Sequence, residues 1–147
     1  MNLTKNPQKR SKHMAKTKVT PAKLMKLAED MIDFMTKRDL FYDVFIYVNN
    51  KRIASNICSP DKTDDYEKKI TAKGSEYYIS KDAYKGSDYV EYANDETITM
   101  TFEGPMYHEY NGNYGNWKTY EAFNKLPEKY GLWFEQGYAW SLSAYVI

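Results

Sequence analysis

The sequence predicts an α+β fold, with helices packed on a mainly antiparallel sheet, and three stretches of its 147 residues carry that prediction. Apolar side chains recur at helical spacing in residues 24–35. Apolar and polar residues alternate in residues 41–48, and Asn49-Asn50, a pair that suits a tight turn, follows them. The alternation returns in residues 132–147. Strands joined by short turns pair in antiparallel fashion, so this combination favours helices on one antiparallel sheet.

The chain divides by charge into a basic arm, residues 1–18, and a body, residues 19–147, which we predict to be a single α+β domain. Residues 1–26 hold eight of the 21 basic residues and none of the 20 acidic ones, so the remainder carries thirteen basic and twenty acidic side chains. The arm also lacks apolar periodicity, and we expect it to be disordered. The net charge of +1 therefore describes an acidic body that carries a basic arm.

The first helix is predicted to begin at Thr20-Pro21, because threonine caps helix amino ends and proline suits the first helical position. A single apolar stripe follows at helical spacing, and the helix should end near Arg38. We expect the methionines of this stripe to fill the core rather than a functional groove. The stripe consists of Leu24, Leu27, Ala28, Met31, Phe34 and Met35.

A β-hairpin is predicted next, with its strands at residues 41–48 and 51–57. The two asparagines between them tolerate the positive φ of a two-residue turn. The register that such a turn imposes pairs Ile46 with Ile53 and Tyr47 with Arg52.

In the middle of the chain, residues 67–71, 76–80 and 89–92 are predicted to form short strands or irregular edge segments, and residues 97–102 a strand. The last of these alternates cleanly, with Ile98, Met100 and Phe102 inward and three threonines outward. Gly104-Pro105 interrupts this strand, and we expect residues 106–110 to resume it.

The end of the chain is predicted as a helix, a glycine and one long strand. Residues 117–126 have helical spacing, residues 127–130 form a short turn opened by proline, and Gly131 ends that turn. Residues 132–147 then form a strand with a bend at Gln136-Gly137, placed inside the sheet because an aromatic edge would aggregate. Its predicted inward residues are Leu132, Phe134, Tyr138, Trp140, Leu142, Ala144 and Val146, and Ser141 and Ser143 point outward.

Catalytic and metal-binding patterns are missing from the sequence, and we expect neither enzymatic activity nor a cofactor. There is no glycine-rich phosphate loop, G-x-S-x-G or H-E-x-x-H motif, and two histidines and one cysteine are too few for a structural zinc site. His108 is the candidate for acid–base chemistry, although we favour a hydrogen-bonded structural histidine. Cys58 would need that histidine to activate it as a nucleophile.

The same composition predicts a cytoplasmic protein. The single cysteine excludes an intrachain disulfide and fits a reducing compartment. No run approaches the roughly 18 apolar residues of a membrane span. The basic start is not followed by the apolar stretch of a secretory signal.

An acid–tyrosine pattern in the middle of the chain supplies the predicted partner-binding surface. Carboxylates on a rigid surface can form charge-assisted hydrogen bonds with the arginine and lysine side chains that bind nucleic-acid phosphates. Tyrosines among them would add apolar contact area. An ordinary solvated acidic face is the competing interpretation. The predicted contacts are Asp64, Asp65, Glu67, Asp88, Tyr89, Glu91, Tyr92, Asp95 and Glu96.

The basic arm supports an alternative prediction, in which a nucleic-acid-binding accessory protein of a mobile element contacts phosphates through the arm. A solubilising tail is the plainer interpretation of such a charge run. The candidate phosphate contacts are Lys9, Arg10, Lys12, Lys16 and Lys18.

Two segments carry a resemblance to other proteins: residues 89–111 (YVEYANDETITMTFEGPMYHEYN) and residues 130–145 (YGLWFEQGYAWSLSAY). They resemble small proteins of bacterial phages and conjugative elements, some of which are anti-CRISPR inhibitors. The resemblance implies inhibition by binding rather than catalysis, and it assigns a role to no residue of this chain. Together with the acidic surface, it predicts an inhibitor that occludes the basic channel of a CRISPR nuclease or another defence protein in a bacterial cytoplasm.

Overall fold

The computed structural model describes residues 19–57, 64–113 and 115–147, and the predicted arm lies outside them. Its helices and one mainly antiparallel sheet confirm the predicted α+β class. None of the described helices is long and apolar enough to cross a bilayer. The helices are α1 (Pro21–Lys37), α2 (Gly104–Tyr110) and α3 (Lys118–Phe123), with 3₁₀ segments at Gly86–Asp88 and Leu126–Tyr130. The strands are β1 (Val44–Val48), β2 (Lys51–Ala54), β3 (Tyr66–Ile70), β4 (Glu76–Ser80), β5 (Ile98–Phe102), β6 (Leu132–Gln136) and β7 (Ser141–Val146).

The sheet has the strand order β3-β4-β2-β1-β5-β7-β6, and each neighbouring pair is antiparallel. Its registers place Ile46, Ile53 and Met100 side by side on one face, where all three are fully buried in the core with α1. We call this the helix face, and the opposite side the far face. Because strand side chains alternate, Tyr47, Arg52 and Thr99 belong to the far face.

Helix α1 forms as predicted. The Thr20 hydroxyl accepts a hydrogen bond from the backbone N–H of Lys23, and proline follows at the first helical position. The helix ends at Lys37, and Arg38 caps it. The six residues of the predicted stripe are buried, together with Ile32, so this stripe is the helix's contribution to the core.

The predicted hairpin is confirmed in its turn and in its register. Asn49 and Asn50 have φ angles of 52° and 62°, and β1 pairs with β2 so that Ile46 meets Ile53 and Tyr47 meets Arg52. Strands at residues 67–71, 76–80 and 97–102 are likewise found, as β3, β4 and β5.

Residues 89–92, predicted as a short strand or an irregular edge segment, do not form a strand. The backbone N–H groups of Tyr89 and Val90 both donate to the carbonyl of Gly86 instead of to a neighbouring strand. Tyr92 has a φ of 69°, which extended backbone does not allow. Local turn bonds therefore replace a sheet ladder in this segment.

The expected continuation of β5 at residues 106–110 is wrong, because this segment is α2. Gly104 adopts a φ of 62° and turns the chain out of the sheet. Pro105 then supplies a helical φ in the first turn, where its missing N–H costs nothing. Met106 and Tyr110, one turn apart, bury the same side of this short helix.

The predicted helix and turn before Gly131 are confirmed as α3 and the 3₁₀ segment Leu126–Tyr130. Gly131 has a φ of 77°, the left-handed conformation that commonly ends a helical segment. The predicted long strand after it is wrong in one respect: residues 132–147 form two strands, β6 and β7, that pair with each other.

The chain reverses between these strands at residues 137–140. The Gly137 N–H donates to the Ser141 carbonyl, and the Ala139 carbonyl accepts from the side-chain amide of Asn111, next to α2. Strand β7 lies inside the sheet as predicted, but β6 is an edge strand. Tyr138 and Trp140, predicted to point inward, belong to the turn and are 37% and 38% exposed. Val146, also predicted inward, is exposed.

Candidate protein-binding surface

The segment between β4 and β5 crosses the far face of the sheet, and we call residues 84–96 the strap. It starts at the β1–β2 turn, where the Tyr84 N–H donates to the Asn50 carbonyl. It reaches β7, where the Ser143 hydroxyl donates to the Tyr92 carbonyl at 3.1 Å. Because β1 and β7 are separated only by β5, the strap spans about 10 Å of sheet.

Two glycines allow the strap to lie directly on the sheet. A Cβ atom added at Gly86 would lie 3.2 Å from the Cβ of Tyr47 on β1. A Cβ added at Gly137, at the end of β6, would lie 3.2 Å from the Cβ of Tyr92. A methyl group at either position would make an unusually close contact, so the strap or the strand would have to shift by a few tenths of an ångström.

Hydrogen bonds fasten the second half of the strap. The Asn94 side-chain amide donates to the Ala144 carbonyl at 2.8 Å, and the Asn94 N–H donates to the Thr99 hydroxyl at 2.9 Å. The hydroxyl groups of Thr99 and Ser143 are in turn hydrogen-bonded to each other, with their oxygens 2.8 Å apart. Thr99 and Ser143 point to the far face, as predicted, but the strap buries them instead of leaving them in solvent.

Arg52 fastens the first half of the strap. Its guanidinium carbon lies 4.2 Å from the ring centre of Tyr84 and 5.6 Å from that of Tyr89, both in the strap, and 4.6 Å from Phe45 on β1. Its Nε and Nη2 atoms donate to the Tyr66 hydroxyl on β3 at 2.9 and 2.7 Å. One cation therefore joins two strands to the strap through ring faces and a bifurcated hydrogen bond.

The electrostatics of this cluster keep Arg52 charged. Burial lowers the pKa of its guanidinium, but hydrogen bonds to the Tyr47 and Tyr66 hydroxyls raise it, and the pKa lies above its ordinary value. Burial raises the pKa of the Tyr66 phenol, which stays neutral and able to accept from the guanidinium. The guanidinium is therefore cationic and the phenol neutral at ordinary pH, as this contact requires.

A second aromatic group, the aromatic corner, lies at the other end of the strap and consists of Tyr92, Tyr138 and Trp140. The rings of Tyr138 and Trp140 stack with centroids 4.9 Å apart, and Tyr92 lies 5.5 Å from Tyr138. The Tyr138 hydroxyl donates to the Glu91 carboxylate, and this bond raises the pKa of the phenol. Tyr92 is 60% exposed, so the corner presents ring faces beside a carboxylate.

The nine predicted partner-binding residues are all exposed, but they occupy two places. Six of them lie in the strap: Asp88, Tyr89, Glu91, Tyr92, Asp95 and Glu96. The other three, Asp64, Asp65 and Glu67, lie at the start of the edge strand β3. The sheet register puts Glu67 opposite Ile79 and so on the helix face, away from the strap.

The strap carboxylates differ in how much they already bond within the protein. Asp95 accepts from the Ser87 N–H at 2.9 Å, and Glu91 accepts from Tyr138. Asp88 and Glu96 are exposed and belong to no ion pair among the described residues. These last two are therefore the carboxylates most available to a partner.

The other sequence candidates lie elsewhere. The predicted phosphate contacts of the arm, and Cys58, fall outside the described residues. His108 lies on α2, where its Nδ1 is 2.9 Å from the side-chain nitrogen of Asn113. No group of three residues suited to a metal ion occurs in the described ranges.

Sequence reasoning missed Arg52, Tyr138 and Trp140 as parts of this surface. The signal for Arg52 was its correctly predicted pairing with Tyr47, which already placed it on the face opposite the core. The aromatic corner had no such signal, because its rings come from the strap and from a turn 46 residues further along the chain.

Comparisons with known proteins found no matching family model, no matching curated protein and no matching solved structure.

Proposed function

We propose that the protein is a non-enzymatic inhibitor that binds a bacterial nucleic-acid-processing defence protein through the strap and the aromatic corner, in the manner of anti-CRISPR proteins. One observation carries the proposal: exposed carboxylates and exposed aromatic rings lie together on a segment that the sheet holds at both ends. A preorganised surface of this kind loses little conformational entropy when it binds.

The charge of this surface supports a basic partner. Residues 86–104 and 131–147, which include most of the strap and all of β5, β6 and β7, contain six acidic residues and no lysine or arginine. A nucleic-acid channel is lined by lysine and arginine, which meet carboxylates through charge-assisted hydrogen bonds. The exposed rings of Tyr89, Tyr92 and Trp140 supply the apolar contacts that such a complex needs at its centre.

Charge reversal at two strap positions tests the proposal. Asp88→Lys with Glu96→Lys leaves the internal bonds of Asp95 and Glu91 intact. We expect this double variant to bind a captured CRISPR nuclease at least tenfold more weakly than the wild type and to inhibit its DNA cleavage correspondingly less. Affinity is measured by surface plasmon resonance, on a nuclease first isolated by pull-down with the full chain.

The matched control is Glu121→Lys with Glu128→Lys, which changes the net charge equally on α3 and the 3₁₀ segment after it. This control should bind like the wild type. If both double variants weaken binding equally, overall charge rather than the strap determines affinity, and the proposed surface is wrong. If neither weakens it, the strap is not the contact.

A further inference from the structure

We propose that the basic arm, residues 1–18, docks in cis on the strap and the aromatic corner of its own chain. In the absence of a partner, the arm of the same chain would then cover this acidic aromatic surface. Such a contact would give the protein a self-covered state, from which a more basic partner releases the arm. The inference does not depend on which partner the protein binds.

Charge complementarity is the first argument. The arm contains six lysine and arginine residues and no acidic residue. The surface that it would cover contributes exposed carboxylates at Asp88, Glu91 and Glu96, with Glu135 beside them on the far face of β6. The second half of the strap and strands β5, β6 and β7 contain no lysine or arginine, so the six cations of the arm would meet a surface without cations there.

The point at which the arm leaves the body is the second argument. The side-chain amide of Asn49 donates to the Pro21 carbonyl at 3.0 Å, so the start of α1 lies against the β1–β2 turn. The next residue, Asn50, accepts from the N–H of Tyr84, the first residue of the strap. The start of α1, which follows the arm in the chain, and the first residue of the strap therefore contact two adjacent residues of one turn.

The length of the arm is sufficient for this contact. Eighteen residues reach at most about 60 Å when fully extended. The aromatic corner lies about 10 Å from β1 across the strands and, at their opposite end, up to about 17 Å along them. The arm can therefore follow the strap along its whole length with chain to spare.

The chemistry of the contact follows from the groups that the surface presents. Lysine and arginine side chains would pair with Asp88 and Glu96, which have no ion-pair partner among the described residues. Their methylene stems and cationic ends would lie over the exposed rings of Tyr92 and Trp140. Contacts of exposed charges are screened by salt, so the docked state should weaken as ionic strength rises.

Paramagnetic relaxation in the full-length chain tests the inference without any partner. Cys58→Ser removes the native thiol, and Ser11→Cys places a nitroxide in the middle of the arm. We expect selective loss of the amide peaks of the strap and of the Trp140 indole peak at low salt. The peaks of Lys129, which pairs with Asp30 of α1, and of its neighbour Glu128 should be retained.

Two changes should restore the lost peaks. One is salt at about 1 M, where the Debye length falls to about 3 Å. The other is the Asp88→Lys and Glu96→Lys double variant, whereas Glu121→Lys with Glu128→Lys should leave the peaks lost. Equal broadening on both faces of the sheet, or no broadening of the strap, would overturn the inference.

A mixed sample separates docking in cis from docking between copies. Protein that carries ¹⁵N but no spin label is mixed with spin-labelled ¹⁴N protein. Any loss of strap peaks must then come from another molecule. Retained peaks support docking in cis, and lost peaks overturn it in favour of a second copy. Because no nuclease is present, these outcomes are independent of the binding result that tests the proposed function.

Discussion

At the scale of single residues, the buried Tyr77 and Tyr110 and the partly buried Tyr130 illustrate how this aromatic chain satisfies its polar atoms. The Tyr77 hydroxyl donates to Glu29 at 2.8 Å and that of Tyr130 to Asp30 at 2.6 Å, both on α1. The Tyr110 hydroxyl donates to the Asn124 side chain at 2.7 Å. A buried phenol without such a partner would cost free energy, so these bonds let tyrosine serve as a core residue.

Tyr110 leads to a prediction about alkaline stability. Burial raises the pKa of its phenol above the ordinary value of 10, so the folded state holds a proton that the unfolded state releases. The contribution of Tyr110 to the free energy of unfolding is fully present below pH 10. It falls as the pH rises above 10, by about 1.4 kcal/mol per pH unit. Tyr110→Phe should therefore reduce the loss of stability between pH 10 and 11.5.

Urea unfolding at pH 7, 10 and 11.5 measures this effect, with the pH 7 value of each protein as its own control. At pH 7 the variant should be less stable, since Asn124 loses its partner. A wild type and variant that lose stability in parallel above pH 10 would show that the Tyr110 phenol is not protected by folding.

At the scale of elements, the strap is stabilised by contacts of two different kinds. Its second half is held by hydrogen bonds from Asn94 to β5 and β7. Its first half depends on the ring contacts and hydrogen bonds of Arg52. Since Arg52 comes from β2, it links the order of the strap to the formation of the first hairpin.

Arg52→Lys should loosen the first half of the strap. Lysine keeps the charge but cannot form the forked bond to Tyr66 or stack a planar group on Tyr84. We expect hydrogen exchange at the Tyr89 and Val90 amides to become about tenfold faster, while exchange in β5 is unchanged. Lys85→Ala removes a neighbouring exposed cation and should leave both rates as they are. Equal rates in Arg52→Lys and the wild type would remove Arg52 from this role.

At the scale of the whole molecule, one core joins α1 to the helix face of the sheet. Its members include residues of α1, of strands β1, β2, β5, β6 and β7, and of helices α2 and α3. Met100 lies near its centre, on β5 between β1 and β7, and is fully buried. Since elements from both halves of the chain share these contacts, we expect them to unfold together.

Met100→Ala tests that cooperativity. The cavity should cost about 2–5 kcal/mol of stability, and Met25→Ala, at a partly buried position of α1, should cost less. Circular dichroism and tryptophan fluorescence should report one shared urea midpoint in both variants. Separate midpoints for the two probes would show that the secondary structure and the surroundings of the three tryptophans unfold independently.

Elements whose signals are local were predictable from the sequence. The Thr20-Pro21 start of α1, the Asn49-Asn50 turn and Gly131 each act through dihedral angles or hydrogen bonds within a few residues. The acid–tyrosine pattern of the strap could be recognised in the sequence. The sequence did not indicate that this segment would form no strand. Its turn bonds to Gly86 compete with a ladder, and periodicity cannot rank these alternatives.

The sequence by itself determined the α+β class, the helix stripe, the first hairpin and its register, and the acidic character of residues 84–96. Tertiary structure alone decided that residues 132–147 fold into a hairpin with β6 at the sheet edge, and that Tyr138 and Trp140 meet Tyr92 outside the core. The physical reason is the range of the interactions. Caps, turns and alternation act between neighbours in the chain, whereas the far face becomes a binding surface only when distant segments are brought together by folding.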